Sequence, residues 1–313
     1  METTHENVWE RLRPIIMAHV EQVKAEQQAT AGKVVGYGVL LGGALFGLFY
    51  ALVGQAMGGY AVIGFLVCAL IGCGVVYSHY YAKRNKAFKA QIVPQIVEAV
   101  CPGARYTAEG DVDRSVITSA RLYNVGRSHT FKWEDTIRGR VGQTDFVYSE
   151  GEISHVEQQG KTTTTVVDFK GFIFEADFNK DFHALTVLSS ERGHFGLLTS
   201  LFSRLKRCHL ENVDFDKRYT TYTSDDVEAR YLLTPALQER IMTLHEQMRR
   251  RLDIRHINIS FHDGRMLIMV PTSANRFEVK DTVEAVQEDF LALCLMIDIV
   301  AYLNLNCRIW TKA

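Results

Sequence analysis

The hydrophobic pattern is dominated by a run of 49 residues, Val34 to Ala82, that contains no Asp, Glu, Lys or Arg. A membrane-spanning helix needs about 20 apolar residues, because each residue adds about 1.5 Å toward a hydrocarbon thickness of about 30 Å. The run divides into two such lengths, Val34–Gly54 and Tyr60–Tyr80. Because backbone polar groups in lipid must be satisfied internally, the pattern predicts two transmembrane helices in a hairpin. The alternative, one buried helix of a soluble core, would need more than twice the usual helix length.

Basic residues flank this run and set the expected orientation of the hairpin. None lies in the segment between the two spans, residues 55–59. The positive-inside rule then places both chain termini in the cytoplasm. The residues expected at the membrane interface are Lys33, Lys83, Arg84, Lys86 and Lys89. The resulting domain scheme is an amphipathic cytoplasmic helix at 1–33, a transmembrane hairpin at 34–82 and a cytoplasmic domain at 83–313, with a further boundary near 193–212.

Glycine recurs within both predicted spans, as at Gly38 and Gly42. This spacing allows helix backbones to approach closely, and two partners remain open. The two spans pack against each other, or a second glycine face mediates homo-oligomerisation. No ionisable residue lies deep in either span, which argues against a transporter or a pump.

Mostly apolar residues recur at helical spacing on both sides of the spans. They are Val8, Leu12, Ile15, His19 and Val23 before the spans, and Phe88, Ile92, Ile96 and Val100 after them. Pro14 is expected to start or kink the first of these helices. Pro102 and Gly103 are expected to end the second.

Strand signals follow from Ser115 to about Val187, where β-branched residues are frequent. We expect four to six antiparallel strands there, with a turn at Ser149–Glu152. Residues 193–208 are predicted to form a linker or a short helix.

The C-terminal third alternates between helix and strand signals. Pro235 is predicted to open a helix that runs to about Arg251, and a last helix is predicted from Thr282 to Leu303. Alternation in Arg255–Phe261 predicts a strand with one buried and one wetted face. Asp263-Gly264 then predicts a hairpin turn into a second strand, Met266–Val270. Helices beside an antiparallel sheet indicate the α+β class.

Composition excludes several classes of protein. The formal net charge is −1, which argues against a dedicated nucleic-acid binder. Six Cys without paired spacing exclude a disulfide scaffold. The chain contains neither a phosphate-binding glycine loop nor a zinc-protease or serine-hydrolase motif. The sequence therefore assigns no catalytic, cofactor-binding or metal-binding residue, and His256 and His262 are interpreted as surface histidines.

Several polar residues remain weak candidates for contact with a partner or ligand. They are Glu134, Asp135, Arg138, Glu150, Asp177, Asn179 and Lys180. Each also has a structural interpretation in a turn or a strand. Helix capping is favoured for the nearby group Ser224-Asp225-Asp226.

Several segments resemble the bacterial membrane proteins classified as domain of unknown function 3137. The similarity is carried by Ala87-Phe88-Lys89, Glu134–Gly139, Tyr148-Ser149-Glu150, Phe169–Lys180 and Ser224–Leu233 followed by Pro235. The resemblance implies two N-terminal spans before a soluble domain, in a bacterial inner membrane. It implies no catalytic residues. Members are often encoded near LemA-type membrane proteins, which makes such a protein a candidate partner.

The sequence therefore predicts a non-enzymatic, membrane-anchored binding or scaffolding protein. Its cytoplasmic domain would engage a partner protein or lipid headgroups at the inner face of the membrane. The alternative is a hydrolase that acts on a membrane-associated substrate through carboxylates such as Glu134, Asp135 or Asp177. A concave pocket in which two such acids converge with desolvation would favour the hydrolase.

Overall fold

The computed structural model describes residues 2–53, 60–160, 162–178, 180–191 and 205–305. The predicted connection at 55–59, Asn179 and most of the predicted linker at 193–208 lie outside these ranges. The chain divides into two compact units, Met1–Val93 with Phe277–Glu288, and Pro94–Arg276 with Asp289–Ala313.

The first unit is built on two long helices, α1 (Glu2–Val53) and α2 (Ala61–Gln91). Both are long and apolar enough to cross a membrane. In the most apolar 18-residue segment of each helix, only 11% and 6% is buried, in contrast to the core helix of a soluble protein, which is mostly buried. The predicted pair of long apolar helices is therefore confirmed.

Close contacts between α1 and α2 show that the two helices are antiparallel. The rings of His19 and Phe88 are 5.4 Å apart, and Gly42 lies against Cys68 further along the pair. A Cβ atom on Gly42 would lie only 2.3 Å from the carbonyl oxygen of Cys68. Glycine is needed there because the two backbones touch. Packing of one span on the other is confirmed, and homo-oligomerisation stays a prediction.

Helix α1 is longer than the sequence pattern suggested. It begins at Glu2 and continues past Pro14, so the proline does not start the helix. The buried stripe also differs by one position, because Ile16 is 1% exposed whereas Ile15 is 43% exposed. After α2, the chain re-enters helix as α3 (Val93–Val100). Pro94 lacks the N–H that an uninterrupted helix would use, which accounts for the break.

The second unit contains a nine-stranded sheet, in which the described strand pairings are all antiparallel. Its strands are β1 (Arg105–Glu109), β2 (Thr130–Val141), β3 (Thr144–Gln159), β4 (Thr162–Asp177), β5 (Thr186–Ser189), β6 (Lys206–Arg207), β7 (Thr220–Thr223), β8 (Asn258–His262) and β9 (Arg265–Pro271). Their order across the sheet is β1-β2-β3-β4-β9-β8-β5-β7-β6. Together with the helices, this sheet confirms the α+β class.

Five further helices complete the described chain. They are α4 (Arg114–Ala120), α5 (Val213–Arg218), α6 (Asp226–Leu232), α7 (Pro235–Leu252) and α8 (Val283–Tyr302). The helices predicted from Pro235 and from Thr282 are confirmed as α7 and α8. Asp225 caps α6 as expected, because its side chain accepts from the N–H groups of Val227 and Glu228. Helix α4 replaces the strand predicted from Ser115, and the side chain of Asp113 caps it.

The turn predicted at Ser149–Glu152 is wrong, because β3 runs unbroken through these residues. Gly151 pairs with Gly171 of β4. A Cβ atom on Gly151 would lie 2.3 Å from Cε3 of Trp133, so the glycine makes room for an indole ring inside a strand. The turn lies instead at Gly142, whose φ of 61° suits the tight connection between β2 and β3.

The wetted face predicted for the strand around Asn258 is also wrong. Asn258 and Ser260 are both 0% exposed, because β8 is an interior strand between β9 and β5. Its polar side chains lie under α4, since Ser119 of α4 bonds the ring of His262. His262 is therefore a buried histidine and not a surface one. The hairpin turn at Asp263-Gly264 is confirmed, with φ values of 45° and 68°.

Candidate functional site

A cavity of ≈ 300 Å³ lies where β2, β3 and β4 meet the residues that follow β9. Its wall contains three carboxylates and two amines, together with a tryptophan and two glycines. The lining residues are Lys132, Trp133, Glu134, Glu150, Gly151, Glu152, Lys170, Gly171, Thr272, Ala274 and Asn275. Two of the candidate acids from the sequence, Glu134 and Glu150, are thus brought together as direct cross-strand partners.

Glu150 is the most strongly perturbed acid of this cavity. The residue is 5% exposed, and burial raises the pKa of its carboxyl to about 7. Two donors act in the opposite direction. The hydroxyl of Tyr148 donates to Oε1 over 2.6 Å, and the main-chain N–H of Arg276 donates to Oε2 over 3.0 Å. Both carboxylate oxygens are therefore held in place by the protein.

Asp135 adds a second buried acid beside Glu150. The register between β2 and β3 shifts between Glu134 and Ile137, and Asp135 has a φ of 50° within this bulge. Its carboxylate accepts from the hydroxyl of Tyr106, and the residue is 0% exposed. The charge of Asp135 also raises the pKa of Glu150. Glu134, the residue before Asp135, lines the cavity, and a carboxylate oxygen of each residue lies within 4.8 Å of the other.

Arg276 provides positive charge near this pair of buried acids. Its guanidinium lies 3.6 Å from the carboxylate of Asp289, and the charge of Arg276 lowers the pKa of Glu150. The buried polar groups therefore form a balanced set of two tyrosines, three acids and one arginine. Such a set can hold a proton at Glu150 near neutral pH, and it also orders the floor of the cavity.

Charged side chains of both signs also line the cavity. Lys132 and Glu152 are cross-strand partners, and Nζ of Lys170 lies 3.9 Å from Glu152. Lys170 is mostly exposed. This arrangement can recognise a ligand that presents both charges, such as a polypeptide segment.

The other candidate residues lie apart from the cavity. Arg138 bonds the carboxylate of Asp111, and Asp177 ends β4 opposite Arg265. Nζ of Lys180 donates to the carbonyl of Tyr231 over 2.6 Å.

Among the residues predicted at the membrane interface, Lys33, Lys83 and Lys86 are exposed. Arg84 and Lys89 are each 8% exposed. Within the first unit, Lys89 forms an ion pair of 2.8 Å with Glu278.

The second surface feature is a two-stranded ribbon formed by residues 154–169 of β3 and β4, here called the β3–β4 ribbon. The pairing of β2 with β3 stops at Ser154, and the pairing of β9 with β4 begins at Gly171. Beyond Ser154, the ribbon strands therefore pair only with each other within the described parts of the chain. Thr162–Thr165 and Val156 are exposed on it.

Sequence reasoning missed Tyr106, Tyr148 and Arg276 as partners of the buried acids. Tyr148 and Glu150 are two residues apart, which is the spacing that shares one face of a strand. The turn predicted at these residues concealed that signal. Arg276 joins the network from a distant part of the chain and leaves no local pattern.

Comparisons with known proteins give one family match and one distant structural likeness. A family model described as Protein of unknown function (DUF3137) matches residues 167–305. No curated protein matches the chain. A solved structure that resembles it is the crystal structure of the mycobacterial trehalose monomycolate transport factor A, TtfA, at 10% identity and a TM-score of 0.33. The likeness covers 68% of this chain and 96% of that one, and it is too weak to support a functional conclusion.

Proposed function

With residues 167–305 belonging to the family of domain of unknown function 3137, we propose that the protein is a membrane-anchored scaffold that binds a partner protein by strand addition. The observation that carries the proposal is the β3–β4 ribbon. Residues 162–169 of β4 have no strand neighbour on the β9 side within the described chain. An unpaired strand edge is a template for an extended segment of another protein.

Side chains of the ribbon favour a protein partner over a lipid surface. Val156 is 60% exposed and Val167 is 49% exposed, and the pairing places them as diagonal neighbours on one face. Exposed apolar side chains of this kind can pack against the side chains of an added strand. The acid-rich cavity lies at the base of the ribbon, with Lys170 and Gly171 in its wall. Its mixed charges suit a polypeptide better than an anionic headgroup.

Anchoring by α1 and α2 supplies the second part of the proposal. The two helices would anchor the protein in the lipid bilayer, with Lys33, Lys83 and Lys86 at the headgroups on one side. In this proposal the membrane is the bacterial plasma membrane, and both chain termini lie in the cytoplasm. The domain scheme of 1–33, 34–82 and 83–313 belongs to the same proposal. Candidate partners are a LemA-type membrane protein and a second copy of this chain, bound through the glycine-rich spans.

Site-specific photocrosslinking in native membranes tests the ribbon. A photoreactive residue at Thr164 should give a discrete adduct, whereas the same residue at Val227 on α6, which is 79% exposed, should not. The double variant Val156→Lys and Val167→Lys should abolish the adduct while the chain stays in the membrane fraction. Equal adducts at both positions, or an adduct that survives the double variant, would contradict strand addition.

Cysteine labelling tests the topology separately. In a chain whose native cysteines are replaced by serine, Gln55→Cys should react with a membrane-impermeant maleimide from outside the cell. Lys33→Cys and Lys86→Cys should react only after the membrane is permeabilised. The reverse pattern would overturn the proposed orientation without affecting the ribbon.

The cavity supports a carboxylate-dependent hydrolase as the second candidate. Glu134 and Glu150 share a concave cavity, and Glu150 has a pKa of about 7, which suits a general acid or base. The hydrogen bonds to both carboxylate oxygens of Glu150 count against its acting as a general base, because neither oxygen is free to accept a proton from a substrate.

A turnover assay tests this candidate. If it is correct, ester, peptide or phosphodiester substrates in vesicles should be turned over by the native chain and by the control variant Glu239→Gln, at an exposed position of α7. Glu134→Gln and Glu150→Gln should each lose at least about 100-fold. No turnover by the native chain would remove this candidate.

A further inference from the structure

Three side chains that the proposed function does not use converge at the base of the β3–β4 ribbon. One ligand atom from each of His129, His155 and Asp168 lies within 4.8 Å of the other two. Oδ2 of Asp168 is 2.7 Å from Nδ1 of His155 and 3.5 Å from Nε2 of His129. The two imidazole rings are 4.8 Å apart between centroids.

The strand geometry explains how Asp168 reaches the histidines. Ile153 pairs with Phe169, but the next residue of β3, Ser154, pairs with Val167. Asp168 is therefore the extra residue of a β-bulge, and bulges redirect a side chain that a regular ladder would place elsewhere. His129 comes directly before β2, whose Thr130 pairs with Ser154. Three separate elements thus deliver one ligand each.

Contacts behind the ligands hold His155 and His129 in position. Oε1 of Glu157 is 3.3 Å from Nε2 of His155, so a proton on Nε2 leaves Nδ1 available as a ligand. Carboxylate partners of this kind are typical of metal-bound histidines. Arg114 donates to the carbonyls of His129 and Gly126, which fixes the loop that carries His129.

We propose that His129, His155 and Asp168 bind a divalent transition-metal ion, with Zn²⁺ as the preferred occupant. Two imidazole nitrogens and one carboxylate oxygen form a donor set that suits zinc, and three protein ligands leave one position for water. Calcium and magnesium are disfavoured because they prefer oxygen ligands throughout. The ion would tie the base of the ribbon to the loop before β2.

One local rearrangement accompanies binding. The main-chain N–H of Gly126 donates to Nδ1 of His129 over 3.0 Å, so the metal-free ring carries its proton on Nε2. A metal on Nε2 requires that proton to move to Nδ1, where it faces the Gly126 N–H. The hydrogen bond from Gly126 therefore breaks when the ion binds. The exchange of this amide with solvent should become faster, although the rest of the site becomes more rigid.

Zinc titration of the full-length protein tests the proposal. The chain is purified in detergent without a histidine tag, stripped with a chelator, and titrated with Zn²⁺ against a chromophoric competitor. One equivalent should bind, and His155→Ala and Asp168→Asn should each weaken binding at least about 10-fold. The matched control is His209→Ala, because His209 also contacts a carboxylate, Asp216 at 3.0 Å, but among the described residues no third metal ligand lies beside this pair.

Each outcome decides the proposal. The site is supported if His155→Ala and Asp168→Asn lose the bound equivalent of Zn²⁺ and His209→Ala retains it. Equal binding in all variants, or no binding by the native chain, overturns it. X-ray absorption of the zinc-loaded native chain gives an independent measure that needs no variant. The spectrum should show zinc coordinated by two imidazole nitrogens and a carboxylate oxygen. Coordination by sulfur, or by oxygen alone, would contradict the assignment.

Discussion

The hydroxyl of Tyr148 donates to Oε1 of Glu150, two residues further along the same strand, over 2.6 Å. This bond lies in a fully buried setting, since Tyr148 is 2% exposed. Burial also raises the pKa of Tyr148 well above its ordinary value, so the phenol stays protonated and continues to donate. Of these two partners, Glu150 is therefore the one that titrates near neutral pH.

The raised pKa of Glu150 predicts a specific loss of stability with pH. The pKa rises from an ordinary value of 4.5 to about 7 in the folded chain. An acid of this kind stabilises the folded state fully below pH 4.5, and the contribution is lost as the pH rises through 7. We expect the native chain to lose up to about 3 kcal/mol relative to Glu150→Gln between pH 5 and pH 8. Urea unfolding in detergent, followed by tryptophan fluorescence, measures the difference. Glu152→Gln is the control, and a difference that does not vary with pH would contradict the assignment.

The buried ion pair between Lys89 and Glu278 should make a large contribution to the first unit. The two side chains are 9% and 14% exposed. Removing one partner leaves an uncompensated buried charge, which costs about 3–5 kcal/mol. Lys89→Met should therefore lower the unfolding free energy by about that amount, whereas Lys86→Met at an exposed position should change it by less than about 0.5 kcal/mol. Equal effects of the two changes in thermal unfolding would argue against a buried pair.

Contact between the two long helices depends on Gly42. Gly42→Ala would place a Cβ atom 2.3 Å from a backbone oxygen of α2, so the helices must separate. Gly36→Ala is the matched control, because nothing lies within 4 Å of its added Cβ atom. We expect Gly42→Ala to lower the thermal unfolding temperature in detergent, and Gly36→Ala to leave it unchanged or slightly raised, since alanine favours helix. A neutral Gly42→Ala would show that the helices do not touch there.

The cap of α6 gives a smaller and sharply local prediction. Oδ1 of Asp225 accepts from Val227 over 2.8 Å and from Glu228 over 3.0 Å. Asp225→Ala should cost about 1 kcal/mol, the usual cost of a lost N-cap. Asp226→Ala keeps the cap, removes a first-turn charge and the side-chain hydrogen bond with Cys208, and should cost about 0.3–1 kcal/mol. Chemical denaturation of the two variants distinguishes the cap from the charge.

Local signals predicted the parts of the fold that depend on neighbouring residues. Pro235 marks the start of α7, and the turn at Asp263-Gly264 lies between β8 and β9, because proline and glycine restrict the backbone wherever they occur. The turn predicted at Gly151 is wrong because the role of this glycine depends on Trp133 of another strand. The same limit applies to the site. The bulge at Asp135 and the contact from Arg276 arise only when distant segments meet, so no short pattern could reveal them.

The pairing of β4 with β9 has a consequence for synthesis on the ribosome. Asp177 of β4 can pair with Arg265 of β9 only after Arg265 has been synthesised. The chain between these two residues contains β5 to β8. At a translation rate of roughly 5–20 residues per second, β4 spends several seconds with an open edge. The apolar helices α1 and α2 lie upstream and have by then left the exit tunnel, so they emerge before the sheet closes. The nascent chain is therefore most exposed to chaperones, and most prone to mispairing, in that interval.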